Sequence, residues 1–285
     1  MPLLDPKIDI VFKLLLSQHP TLLRSVLECV LDLPTPIRAI TVLNPDLERD
    51  FASDKGAVLD LRIELADTVL IDLEMQVQAH AALTKRILYY WARNYSGESM
   101  AGESHDKLRP AISIVWLGER LLAGNRFHSV FRVREEHDHE LFCADLELHL
   151  FELSKLDVGA HTDDRASKWG KFFRFESESD LEQLAAEDPI MAEAKDALEH
   201  ISEDPKVASI ARERELAALT YRLVLGTTRD LALKEAREIA LRESILDLAE
   251  AYGIAVDDTR KRALEAMSLP YLEALRDKIK SERRW

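Results

Sequence analysis

The sequence predicts an α/β fold: a mixed β-sheet core flanked by helices over residues 1–175, followed by an all-helical region over residues 176–285. Two segments, 57–65 and 69–77, alternate apolar and polar residues with the period of two that is typical of β-strands. A helical pattern and a further strand follow them. Because a helix between two strands implies a crossover connection, part of the sheet should be parallel.

The N-terminal segment precedes these strands and predicts two helices and a short strand. Over residues 9–33 apolar residues recur at helical spacing, with an interruption at His19-Pro20. The prolines at positions 34 and 36 cannot continue a helix. Residues 37–43 are then expected to form a strand.

The two alternating segments should form an antiparallel hairpin, because the three residues 66–68 between them suit a tight connection. Each segment has one apolar face. The opposite faces carry Val58, Asp60, Arg62 and Glu64 in the first segment, and Leu70, Asp72, Glu74 and Gln76 in the second.

The remaining elements follow from their apolar patterns. The core should continue with a helix at 81–95, a strand at 111–117 that is buried on both faces and stops at Gly118, and strands at 127–133 and 146–153. The C-terminal region should contain helices at 181–201 and at 208–225 with a stop at Gly226, an apolar stripe at 241–252 capped by Gly253, and a last helix from Ser268.

The charge of the chain bears on its partners. The formal net charge is -14, which disfavours nucleic acid because phosphate binding usually needs a basic surface. Residues 1–130 hold 14 basic and 17 acidic residues, whereas the remaining residues hold 24 and 35. The acidity therefore lies mainly in the second half, and it argues against DNA binding without excluding it.

Several observations indicate the compartment. Cys29 and Cys143 match no zinc or redox spacing, and each lies among apolar residues, so we expect two buried, reduced thiols. The N-terminal residues lack the basic and apolar regions of a signal peptide. No uninterrupted apolar run reaches the ~18 residues of a membrane span. A soluble, cytoplasmic protein that does not bind membranes is expected.

The polar faces of the hairpin carry the candidate chemistry. Hydrolysis of a phosphodiester needs charge neutralisation and an activated water, and a hard divalent ion with oxygen ligands supplies both. Asp60 and Glu74, on neighbouring strands, can hold such an ion, with the Met75 carbonyl as a further ligand and Gln76 beside them. The alternative is that this face is simply solvated. Aspartate is disfavoured within strands, yet Asp60 and Asp72 both occur there, which favours a site.

The same residues carry a family resemblance. The stretch Lys55–Asp60, the strand Ile71–Gln76 and the helix Lys85–Tyr90 resemble the PD-(D/E)XK nuclease superfamily and, within it, a bacterial branch of transposase-like, recombination-promoting nucleases. Residues 9–13 and 108–117 resemble further segments of that branch, so the resemblance covers most of residues 5–175. It implies a restriction-endonuclease-like core and a metal-dependent endonuclease that acts on DNA with Mg²⁺, or with Mn²⁺.

The resemblance also assigns roles. Asp60 resembles the metal-binding aspartate and Glu74 the second acidic ligand, while Gln76 stands where the superfamily usually has lysine. The ExQ form is usual in this branch. Glutamine keeps hydrogen-bonding capacity but has no positive charge. The metal must therefore supply more of the stabilisation of the developing anion, or Lys55 or Lys13 must supply the missing charge.

Supporting residues are expected around this centre. Arg86 and Tyr90 are four apart on the helix that follows the motif, and Arg86 is either a phosphate contact or a surface charge. Asp9 and Lys13 are also four apart, and they either belong to the site or form an exposed ion pair. For Asp72 a structural or supporting role is favoured.

Other patterns have simpler interpretations. The histidines in residues 135–140 lack an identifiable third ligand, so a solvated charged loop is expected there. Trp169, Phe172 and Phe173 resemble a family segment that follows the core, and we expect them in the hydrophobic core rather than as a platform for stacked bases.

Two alternatives to an active endonuclease remain. A catalytically weakened scaffold would bind DNA or a protein partner without cutting, which the missing lysine and the net charge favour. Separately, the acidic helical region 176–285 would serve for homo-oligomerisation or target recognition. The sequence does not separate simple cutting from recombination.

Overall fold

The computed structural model describes residues 2–31, 37–43, 61–65, 69–79, 82–96, 104–157 and 165–285. The core elements are α1 (Asp9–Ser17), α2 (Pro20–Val30), β1 (Ile40–Val42), β2 (Leu61–Leu65), β3 (Val69–Gln76), α3 (Leu83–Ser96), β4 (Ala111–Leu117), β5 (His128–Arg132) and β6 (Leu146–Glu152). The later helices are α4 (Arg165–Phe173), α5 (Glu178–Glu187), α6 (Pro189–Glu203), α7 (Pro205–Ala251), α8 (Asp258–Ala266) and α9 (Leu269–Glu282). Within the described parts of the chain, no helix combines the length and apolarity that crossing a membrane requires.

The strands form one mixed sheet in the order β1-β2-β3-β4-β6-β5. The pairs β3–β4 and β4–β6 are parallel, and the other neighbouring pairs are antiparallel. The predicted α/β core and its partly parallel sheet are confirmed. The first strand is shorter than expected, since only Ile40–Val42 of residues 37–43 pairs with β2.

One face of the sheet carries the main core. Ile71, Leu73, Ile114 and Trp116 point to this face and pack with residues of α1, α2, α4 and α6. The Trp116 and Phe151 rings stack with centroids 4.1 Å apart. The expectation that Trp169, Phe172 and Phe173 belong to the core is confirmed, because all three are fully buried.

The opposite face of the sheet is covered by α3. Leu83 and Ile87 of this helix pack on Val115, Leu117 and Leu150. The side chains of β3 that alternation assigns to the polar face therefore lie between the sheet and a helix.

The segment 135–140 lies at the tip of a hairpin after β5. The backbone nitrogen of Glu135 donates to the carbonyl of Glu140 at 2.9 Å, and the residues of the tip are exposed. Within the described ranges there is no cluster of three or more metal-binding side chains here or elsewhere. The expectation of a solvated charged loop is confirmed.

Several expectations about the helical region need correction. The segment 181–201 is two helices, because Pro189 starts a new helix and the Asp188 side chain caps it by accepting from the backbone nitrogen of Ile190 at 3.0 Å. The stop predicted at Gly226 is wrong, since α7 runs through it. One glycine costs a helix only about 1 kcal/mol, which the many alanine, leucine, arginine and glutamate residues elsewhere in α7 offset.

The later helix ends are as predicted. Gly253 has a φ of +66°, the left-handed conformation expected of a glycine that caps a helix. Ser268 is the N-cap of α9. Between them, α8 was not predicted.

The described chain divides into two compact units, Met1–Arg214 and Glu215–Trp285. The second unit has its own core, formed by Leu241, Ile245, Leu264, Leu272 and Ile279. The division expected from the sequence, with a nuclease-like domain at 1–175 and a helical region at 176–285, stays a prediction.

Both cysteines are free, as expected. The prediction that they are buried is wrong, because Cys29 and Cys143 are each half-buried. Cys29 packs against the main core but keeps part of its surface exposed.

A buried ion pair fixes the loop after β4. The Lys155 ammonium pairs with Glu152, and both side chains are almost completely buried. The other carboxylate oxygen of Glu152 accepts from the backbone nitrogens of Leu121 and Leu122 at 2.6 and 3.0 Å. Lys155 also donates to the Leu122 carbonyl at 2.9 Å.

We expect Lys155→Met to lower the free energy of unfolding by about 3–5 kcal/mol, because it leaves the Glu152 charge buried without its cation. Lys195→Met is the matched control, since Lys195 pairs with Glu199 at 2.5 Å on a helix surface and should contribute only about 0.3–0.5 kcal/mol. Urea denaturation of both variants measures this. Equal effects of the two substitutions would contradict the account.

Candidate active site

The polar face of β3 is buried. Asp72, Glu74 and Gln76 follow one another on this face, and Glu74 is only 3% exposed. In the parallel register with β4, Asp72 lies beside Ser113, Glu74 beside Val115 and Gln76 beside Leu117. The alternative of a solvated hairpin face is therefore wrong for Asp72 and Glu74.

Glu74 has a carboxylate oxygen that is not satisfied. Its Oε2 is buried and accepts no hydrogen bond from any residue in the described parts of the chain. The Arg86 guanidinium of α3 lies beside it, with 3.6 Å between Arg86 Nη2 and Glu74 Oε2. Buried carboxylate oxygens are normally hydrogen-bonded, so this atom is a candidate ligand for a cation.

Arg86 also holds Gln76. The Arg86 Nη2 donates a short hydrogen bond to Gln76 Oε1, and Gln76 Nε2 donates to the Gln78 carbonyl at 3.1 Å. Both ends of the Gln76 amide are thus engaged, which fixes its orientation. Arg86 is half-buried, so the interpretation as a purely surface charge is wrong.

The loops at the carboxyl ends of β3 and β4 lie close together. The backbone nitrogen of Gly118 donates to the Gln76 carbonyl at 2.9 Å. A Cβ at position 118 would approach the Val77 carbonyl oxygen to 2.6 Å, so glycine is required there. Glu119 accepts from the backbone nitrogen of Ala79 at 3.0 Å.

The Met75 carbonyl points away from β4. Leu70 donates to the Pro110 carbonyl and Gln76 accepts from Gly118, so the even-numbered residues of β3 bond to β4. The backbone groups of Met75 therefore point toward the β2 side of the strand. Its role as a metal ligand stays a prediction.

Two predicted site residues, Asp60 and Lys55, lie outside the described residues. The first described residue of β2, Leu61, is paired with Leu73 of β3.

The pKa of the Asp72 carboxyl is perturbed. Burial first, and then the nearby Glu74 carboxylate, raise this pKa to about 7 against the opposing effect of Arg62 and Arg86. Arg62 lies directly opposite Asp72 in the antiparallel register. No role was predicted for Arg62, although its place on the polar face of β2 was the available signal. Nothing in the sequence indicated a role for Gln78.

The supporting residues are placed as follows. Tyr90 is half-buried, and its ring contacts that of Tyr89 edge-on at 5.5 Å. Asp9 pairs with Arg214 at 3.5 Å, and Lys13 is buried at 2% exposure. The alternative of an exposed Asp9–Lys13 ion pair is therefore wrong, and site roles for these three residues stay predictions.

The comparison with known families agrees with this arrangement. The family model described as PD-(D/E)XK nuclease family transposase matches residues 6–226, which is most of the chain. The chain belongs to this family. No curated protein and no solved structure matches it.

Membership in the PD-(D/E)XK nuclease family supports a nuclease-type function and agrees with the mixed sheet flanked by helices. These nucleases generally use divalent metal ions. The buried, unsatisfied oxygen of Glu74 fits such an ion. The described residues hold no group of three or more metal-binding side chains.

The raised pKa of Asp72 predicts how the free energy of unfolding depends on pH when a chelator removes metal. Its pKa is about 7 in the folded chain against 3.8 for an unperturbed aspartate, so its ionisation opposes folding as the pH rises from about 4 to 7. We expect Asp72→Asn to raise the free energy of unfolding at pH 8 by on the order of 2–4 kcal/mol, with little difference below pH 4.

Denaturant melts of both proteins across this pH range measure the difference. Asp106→Asn, at an exposed position, is the matched control and should leave stability nearly unchanged throughout. A difference between wild type and Asp72→Asn that is the same at pH 4 and pH 8 would contradict the burial argument.

Proposed function

We propose that this chain is a metal-dependent DNA endonuclease that hydrolyses phosphodiester bonds, as a recombination-promoting nuclease of the transposase-like type. The observation that carries the proposal is the buried Glu74 carboxylate, whose Oε2 accepts no hydrogen bond from the described residues. A carboxylate buried in this way is costly unless a cation or donors compensate its charge. A bound divalent ion would do so.

Asp60 is proposed as the second acidic ligand. It precedes Leu61 in the sequence, and Leu61 is paired with Leu73, the residue before Glu74. We infer that Asp60 and Glu74 would together form the oxygen-rich ligand set that Mg²⁺ prefers, with Mn²⁺ as an alternative. The Met75 carbonyl is a proposed third ligand.

A divalent ion bound there would supply charge neutralisation at the phosphate and a more acidic water. The residues of the chain hold and orient the reacting groups. Glu74 would hold the cation through Oε2, and the covering helix α3 limits access of bulk water to the face.

Arg86 is proposed to supply the positive charge that lysine supplies in other members of the superfamily. The Gln76 side chain is neutral, while the Arg86 guanidinium lies 3.6 Å from Glu74 and donates to Gln76. Arginine is always charged and can pair with phosphate oxygens through two donors. Arg86 would then supply the positive charge for which the sequence suggested Lys55 or Lys13. Those two lysines, with Asp9 and Tyr90, remain proposed supporting residues.

The alternative is a weakened scaffold that binds DNA or a protein without cutting. The uncharged Gln76 and the net charge of -14 favour it. DNA is the proposed partner of the endonuclease, and DNA or a protein is the proposed partner of the scaffold. The cytoplasm is the proposed location in both cases.

The plasmid test separates these functions. Purified wild type should nick or linearise supercoiled plasmid with Mg²⁺ or Mn²⁺ and not with chelator. Glu74→Gln and Asp60→Ala should each lower the cleavage rate at least about 100-fold, because each removes a charged metal ligand. The measurement is the rate of loss of supercoiled DNA on gels, alongside circular dichroism to verify folding.

Glu64→Gln is the matched control. Glu64 lies on the same sheet face, but its carboxylate already pairs with Arg109 at 2.5 Å, so cleavage should be unchanged. If wild type binds DNA without metal and never cuts it, the scaffold alternative replaces the endonuclease.

Arg86 has a test of its own. Arg86→Gln should lower the cleavage rate by about 10–100-fold, because it removes the cation beside the site. Adding Gln76→Lys to this variant should recover part of the rate by restoring a positive charge on the same face. Single-turnover rates of the two variants decide this, and equal rates would show that Arg86 does not supply the missing charge.

A further inference from the structure

The helix α7 exposes large apolar side chains in the second compact unit. Over half of the surface of Leu219 and of Leu233 is exposed, at 51% and 59%. Leu216 and Leu223 are also exposed. An exposed apolar stretch of this kind on a charged helix is typical of an interaction surface.

One face of this helix is self-complementary. Positions 215, 219, 222, 226, 230, 233 and 237 recur at spacings of four and three residues, so they follow a single helix face. Glu215 and Arg237 are equally distant from Gly226 on either side, and so are Leu219 and Leu233. The sequence continues this symmetry with Arg222 and Asp230. If a second copy of this face lies antiparallel to the first, each acidic position is opposite a basic position and each leucine is opposite a leucine.

Gly226 lies at the centre of this symmetry. It is exposed, and a Cβ added there would meet nothing within 4 Å, so no local contact demands a glycine. Glycine weakens a helix relative to alanine, which makes its place in the middle of α7 unexplained by the single chain. The lack of a side chain does allow the backbone of another helix to approach closely.

The geometry points to pairing of α7 with the same helix of a second copy of this chain. Residues 215–237 of the two copies would run antiparallel, with the two-fold axis at Gly226. Each Glu215 then faces Arg237 of the second copy, and each Leu219 packs on Leu233 of the second copy. Such an interface is isologous, so every contact occurs twice. This inference does not depend on nuclease activity.

The contacts of Arg237 within its own chain leave it able to pair with Glu215 of a second copy. Its Nη2 donates to Glu273 at 2.6 Å, while its side chain remains largely exposed. A guanidinium has five N–H donors, so the same residue can also bind a second carboxylate.

The pairing should be weak. A single pair of helices buries less than the about 800 Å² per partner that is typical of standard stable interfaces. We therefore expect the full-length chain to show a concentration-dependent equilibrium between monomer and dimer, measurable by sedimentation equilibrium.

A charge swap tests the pairing. Glu215→Arg places two arginines opposite each other at both ends of the interface, and it should raise the dissociation constant of the dimer by about tenfold or more. Arg237→Glu should do the same. The double variant restores opposite charges at both ends, and its dissociation constant should return to within about threefold of wild type.

Glu235→Arg is the matched control. Glu235 lies on the opposite side of α7 from Gly226 and is exposed, so this reversal should leave the dissociation constant unchanged. Helix content by circular dichroism verifies that all variants fold. A wild type that is monomeric at every concentration, or a double variant no tighter than the single ones, would overturn the pairing.

Discussion

The charge of one carboxylate, buried between a β-sheet and a helix, constrains much of this structure. Removing an ion from water costs several kcal/mol unless partners compensate it. The Glu74 Oε2 accepts no hydrogen bond from the described residues and lies 3.6 Å from the Arg86 guanidinium. Next to it, Asp72 responds to the same burial by a pKa raised to about 7. Two acidic groups in one covered layer are destabilising by themselves, which is the arrangement expected where a cation or a substrate is bound.

The sheet supports this layer from both sides. The main core fixes β3 and β4 through Leu73, Ile114 and Trp116, which point away from the site. On the site face, α3 contributes both the apolar cover, through Leu83 and Ile87, and the cation, through Arg86. One helix therefore closes the layer and compensates its charge, so that stability and the proposed chemistry depend on the same packing.

The alternation of β3 was sufficient to predict that Asp72, Glu74 and Gln76 share a face, and the register with β4 confirms it. Alternation does not show whether a polar face is covered. The burial of Glu74 and the hydrogen bond from Arg86 to Gln76 depend on how α3 packs on the sheet, which could not be predicted from the alternation. Lys13 is a similar case, since its burial depends on neighbours distant in sequence. The stop predicted at Gly226 was wrong because the cost of one glycine is small beside the summed helix-forming preference of the other residues of α7.

The most direct test of the account is the affinity of the full-length chain for Mn²⁺, measured by isothermal titration calorimetry on wild type and Glu74→Gln. We expect wild type to bind the ion and the substitution to weaken binding by at least about tenfold, because it replaces a charged oxygen ligand with a neutral amide. Equal affinities in the two proteins, or no binding by a folded wild type, would contradict the claim that the buried oxygen of Glu74 is a metal ligand.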